Sequence, residues 1–220
     1  MNLPFYAQLI NLFAALLLLL AFAMLTQRRI LSLINLFAAQ GCVLVLSTAV
    51  VAHFTHQGHL YYSALLTLVL KVLLLPWIMH RLIRALNVRW DVETLIDIPA
   101  TMLVGIVLVI FAFNLAAPIS QFAGTITKST LGIATACILL AILMMITRRK
   151  AVSQVIGFLA MENGLFFAAT SATYGMPMVV ELGIALDVLV GTLIFGVFFF
   201  HIRETFESLD IQHLEKLKER

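Results

Sequence analysis

The chain has 220 residues, of which 62% are hydrophobic and only 11% charged, with a mean hydropathy of +1.06. Soluble domains carry about 25% charged residues, so this composition excludes an ordinary water-soluble domain and places the chain in a membrane. The net charge of +3 and pI of about 9.1 do not signal nucleic acid, because almost all Lys and Arg lie in short clusters between apolar runs, which is a topology signal.

A bilayer core takes about 20 apolar residues per helix. On that measure an all-α, polytopic protein is predicted, with seven transmembrane helices at about 3–26, 30–54, 59–84, 97–119, 129–147, 151–174 and 177–201. The first run is expected to stay as a span and not to be a cleaved signal peptide, since no basic segment stands before it, Arg28 and Arg29 follow it, and no small-residue cleavage site is evident. Arg81, Arg84 and Arg89 follow the third run, Arg148, Arg149 and Lys150 the fifth, and Arg203, Lys216, Lys218 and Arg220 the seventh. The opposite side carries only Lys128, which predicts an N-terminus outside and a cytoplasmic C-terminus. Cys42 and Cys137 both fall inside apolar runs and read as buried small side chains, not a disulfide framework or a metal site. The segment "NVRWDVETLIDIPA" reads as a cytoplasmic connector. The tail "RETFESLDIQHLEKLKER" reads either as a solvated terminus or as a docking surface for a partner subunit.

Four ionisable side chains survive at membrane depth: Lys71, Glu162, Glu181 and Asp187. Each costs roughly 2.5–3.5 kcal/mol at a helix centre on insertion scales, so they should face protein or water. Loss of water disfavours the charged form, which leaves each poised to exchange a proton. Lys71 stands in "LVLKVLLLPWIM", where Pro76 cannot donate a hydrogen bond and should leave the Val72 carbonyl without its helical partner. A kink with a spare carbonyl beside a lysine would admit water; the alternative is a lysine paired with a carboxylate. Glu162 is the deepest acid, followed by Asn163, which could hydrogen-bond across a helix interface. Asp187 shares a face with Gly183 and Gly191, and the turn "TYGMP" joins its helix to that of Glu162, so both acids can share one interior. Glu181 is turned from Asp187 by roughly 120° and reads equally as an interfacial carboxylate. His80 and His201 end their spans and could be proton entry points. His53, His56 and His59 lack a paired cysteine or acidic ligand, so no metal site is expected.

The last three spans resemble a known pattern. "TRRKAV" precedes a helix with the mid-membrane acid of "GFLAMENG", and "DVLVG" and "SLDI" follow in order. This is similar to the K subunit of respiratory complex I and the C subunit of the multisubunit cation/proton antiporters. Glu162 and Asp187 fall on that family's two mid-helix glutamates, with Asp187 one methylene shorter. Along its whole length the chain resembles the hydrogenase-4 component E family, in the blocks "KVLLLPWIM", "MENG" and "VELGIALD". The resemblance implies a four-helix N-terminal extension at 1–128 and a K-like three-helix part with a tail at 129–220. It implies a non-catalytic subunit of a nickel–iron hydrogenase or formate hydrogenlyase-type complex in a bacterial or archaeal cytoplasmic membrane. The nickel–iron centre and iron–sulfur clusters would then belong to partner subunits, with no cofactor in this chain. The implied partners are antiporter-like membrane subunits, a complex I-like membrane anchor subunit and a peripheral redox arm. Two functions compete within this setting: a proton-conducting subunit, and a scaffold whose acids only bridge neighbours. An autonomous transporter or seven-helix receptor is disfavoured, since no internal repeat or extramembrane binding surface is evident.

Overall fold

The computed structural model describes residues 5–86, 94–120, 125–173 and 196. Within them the chain is helical, and six segments are long and apolar enough to cross a membrane. The protein is a multi-pass membrane protein. Helix α1 spans Phe5–Thr26 and α2 spans Ile30–Thr55. The third span is continuous but not uniform: α3 (His59–Thr67) widens into a π-helix over Leu68–Leu74 and narrows again into α4 (Leu75–Leu86). Helices α5 (Ile98–Ser120), α6 (Thr125–Thr147) and α7 (Ala151–Thr173) complete the described bundle. The predicted seventh span and the tail lie outside the described residues.

Helix α7 is central, packing on α6 and α2, while α1 packs on both α2 and α6. Helix α5 flanks α6 and α1, and the third span flanks α2. The flanking elements turn large side chains outward, among them Leu103, Val107 and Ile110 of α5 and Leu65, Leu73 and Trp77 of the third span. That is the expected arrangement where lipid, not water, is the outer solvent.

A seam of small residues lets α6 and α7 approach. Gly157 and Gly164, two turns apart on one face of α7, meet Met145 and Ile138 of α6. A Cβ at position 164 would lie 2.9 Å from Ile138 Cγ1 and 3.3 Å from its backbone nitrogen. Gly164→Val is therefore expected to cost about 1–3 kcal/mol by overpacking. Gly58→Ala, where nothing lies within 4 Å, should be neutral. Melting of the two variants in detergent separates these outcomes; equal melting would mean the seam is not close-packed.

Two expectations need correction. Cys137 is buried at 2% exposure, but Cys42 is exposed on the outer face of α2. An orphaned Val72 carbonyl presumed an α-helical register around Pro76, whereas the wide turn runs through this segment and Leu75 N–H donates to the Leu70 carbonyl, five residues back. Pro76 has no N–H to donate in this register either, so the carbonyl it leaves without that partner moves from Val72 to Lys71.

His56, the left-handed residue at φ 54°, ends α2 and turns the chain into α3. His53 packs its ring edge against Phe54.

Candidate functional site

Buried polar side chains of the third span, α2 and α7 meet in one layer of the bundle. Lys71, on the π-helix, places Nζ 2.7 Å from Glu162 Oε1 of α7. Both side chains are buried, Lys71 at 4% exposure and Glu162 at 7%. The contact is an ion pair, and Glu162 Oε2 has no hydrogen-bond partner among the described residues. The ammonium also lies 5.2 Å from the centroid of the Phe166 ring. Phe166 follows Glu162 by one turn on the same face, so ring and carboxylate together form the wall that the cation meets.

Lysine reaches this far because α2 offers no side chain in the way. Gly41 lies against the third span, and a Cβ there would sit 3.1 Å from Val72 Cγ2 and 3.7 Å from Lys71 Cβ. The preceding residue, Gln40, continues the polar layer: the Asn163 amide donates to Gln40 Oε1 at 3.2 Å, both side chains being buried. Glu162 lies about 140° around α7 from Gly157, so the glycine seam faces α6 while the acid faces the third span.

Of the residues singled out in the sequence, Lys71, Glu162 and Asn163 are thus brought into one layer. His80 is not among their contacts. It sits one turn after the proline, where its Nδ1–H donates to the Pro76 carbonyl at 2.8 Å. Glu181, Asp187 and His201 lie outside the described residues, as does any approach of Asp187 to Glu162. Gln40, Gly41 and Phe166 went unread in the sequence. A lone glutamine beside a glycine in an apolar run, "AAQGCV", was the available signal for the first two; Phe166 carried none in a chain with 16 phenylalanines.

A second buried cation sits at one end of the bundle. Arg148 follows α6, is 1% exposed, and donates through Nη2 to the carbonyls of Met24 at 3.1 Å and Leu25 at 2.7 Å. Those are last-turn carbonyls of α1, where partial negative charge collects; the Met24 carbonyl also accepts from Gln27 N–H at 3.4 Å. Desolvation pulls the guanidinium down to about 10, so it stays protonated at neutral pH. The connector docks at the same place: Leu95 N–H donates to the Thr147 carbonyl at 2.8 Å, and Thr94 pairs with Arg148 through the backbone. The basic residues that read as topology markers therefore include one with a structural task.

The chain is 31% identical over 209 residues to the uncharacterized protein Rv0085 of Mycobacterium tuberculosis, covering 94% of this chain and 95% of the relative. The chain belongs to the family of that mycobacterial protein. It is also homologous to hydrogenase-4 component E of Escherichia coli and of Shigella flexneri, each 26% identical over 186 residues, or 84% of this chain and 81% of the relative. No model of a known protein family matches, and no solved structure does.

Proposed function

We propose that this family member is a membrane subunit of a hydrogenase-type redox complex, and that its buried layer exchanges protons. The observation that carries the reading is the Lys71–Glu162 pair: an ion pair held in the interior of a membrane bundle, in a chain homologous to hydrogenase-4 component E. Structural adhesion alone is a weak reason to retain such a pair, since apolar residues of similar volume often stabilise as well. Groups that change charge at membrane depth characteristically mark proton relays. Glu162 is the group that binds and releases the proton, Lys71 sets its charge balance, and Asn163 and Gln40 fix its helix against α2.

In the finer reading, the chain divides into the extension at 1–128 and a part at 129–220 like the complex I K subunit. It is oriented with its N-terminus outside and its C-terminus in the cytoplasm of a bacterium or archaeon. Asp187 and Glu181 extend the relay from the seventh span, and His80 and His201 stand near its entry. Its partners are antiporter-like subunits, a complex I-like membrane anchor subunit and a formate hydrogenlyase-type redox arm that holds the nickel–iron and iron–sulfur centres.

Glu162→Gln tests the central claim, because it keeps the size and hydrogen-bonding capacity but cannot ionise. The assembled complex in proteoliposomes is expected to keep its redox rate and lose proton uptake; Asp187→Asn should do the same. Wild-type coupling in both amide variants would sink the relay and leave a scaffold, the reading that the Asn163–Gln40 contact by itself favours.

A further inference from the structure

One face of the third span carries Ser63, Thr67 and Lys71 in series, all buried. Steps of four residues advance about 6 Å along a helix and drift by about 40°. The wide turn between Leu68 and Leu74 holds more residues per turn, so the step from Thr67 to Lys71 does not add a second drift of the same sense. The π-helix thereby keeps the lysine in line with the two hydroxyls.

Helix α2 presents a matching group. Gly41 lies against Lys71 and Val72, and Thr48 is two turns further along the same face, about 10 Å away. Because α2 and α3 are consecutive and packed together, this places Thr48 at the level of Thr67 and Ser63. Thr48 Oγ1 and Ser63 Oγ are buried and lack a hydrogen-bond partner among the described residues, as does Glu162 Oε2 at the inner end. Elsewhere in the bundle the hydroxyls of Thr55, Thr135, Thr147 and Thr170 donate back to the carbonyl four residues earlier. Thr48 and Ser63 do not. Hydroxyls spaced by about 6 Å stand one water apart, and water is the group that can both donate to and accept from each of them.

Beyond Ser63 the polar row ends. Leu60, three residues earlier on the same face, is fully buried in a small apolar cluster with Ile10, Val51 and Ala52.

We propose that a water-filled, hydroxyl-lined route runs from the Lys71–Glu162 pair past Thr67, Thr48 and Ser63 toward the turn at residues 56–58, with Ile10, Val51, Ala52 and Leu60 as its hydrophobic gate. It rests on the reading of Glu162 as a proton-exchanging group and supplies that group's access to bulk water. In each hop a hydronium passes one proton to the next water and is left as water; at the inner end the proton joins Glu162 Oε2. The gate closes by dewetting and opens when the apolar cluster parts.

The test uses the assembled complex in membrane vesicles, with Cys42 and Cys137 replaced by alanine and single cysteines introduced as T48C, S63C and, on the outward face, L65C. A water-soluble methanethiosulfonate reagent reacts with thiolate, so T48C and S63C should label at least about ten-fold faster than L65C, whose thiol meets lipid. Adding L60A should accelerate S63C further. Thr48→Val should lower coupled proton uptake several-fold at unchanged redox rate, and Thr48→Ser should retain it. Labelling of T48C and S63C no faster than L65C, with and without L60A, overturns the route, as does full coupling in Thr48→Val. Failure of the proposed function looks different: Glu162→Gln then keeps its coupling while T48C and S63C still label.

Discussion

Lys71→Met is expected to destabilise the protein by roughly 3–5 kcal/mol, since it strands a carboxylate that the fold holds away from water. Glu162→Met should cost a similar amount by stranding the ammonium, which among the described residues would keep the Phe166 ring 5.2 Å away. The double variant removes both charges and keeps comparable volume, so most of the loss should be recovered. The cycle is read from melting in detergent and from the amount of assembled complex, and the coupling between the two sites should exceed about 2 kcal/mol. Additive single effects would mean that the 2.7 Å contact is not an energetic pair. The double variant also separates stability from function: it should assemble, and it should not couple proton movement to turnover. Recovery of coupling together with stability would make the pair an adhesive.

Arg148→Met is the second large expected effect. It keeps the apolar stem but removes both hydrogen bonds to the last turn of α1, taking from the Leu25 carbonyl its guanidinium partner at about 1–3 kcal/mol, while the Met24 carbonyl keeps the bond from Gln27 N–H. The loss is moderated by release of a charge that was itself costly to bury. Arg148→Lys should recover only part of it, because a compact ammonium is more strongly hydrated than a guanidinium and costs more to bury. The damage should be local first: hydrogen exchange at α1's final turn and around Leu95 should quicken, since connector and arginine dock at one place. Unchanged exchange there would show that Arg148 serves only as a charge at the bundle end.

The sequence by itself pointed to the membrane as solvent, to six apolar spans that form helices, and to the burial of Lys71, Glu162 and Asn163. Apolar runs of membrane-crossing length, broken by basic clusters, need no tertiary information to be read, because the cost of exposed backbone in lipid leaves helices as the economical solution. It also brought Lys71, Glu162 and Asn163 forward, because polar atoms at those positions require a partner whatever the packing.

Only the tertiary structure decided which partners. Lipid tails are as apolar as leucine, so a membrane helix carries no clear stripe that tells inside from outside. Cys42 and Cys137 look alike in the sequence, and one faces outward while the other is in the core. The same lack of contrast hid the place of α2. Gly41 and Gln40 matter because α2 lies between the third span and α7, and nothing local states that neighbour relation. The π-helix is likewise invisible to a reading that assumes 3.6 residues per turn, and it changed the meaning of Pro76. Arg148 shows the limit from the other direction: a basic cluster is a statement about orientation, and whether one of its members is drawn inward depends on where the open carbonyls of another helix end up.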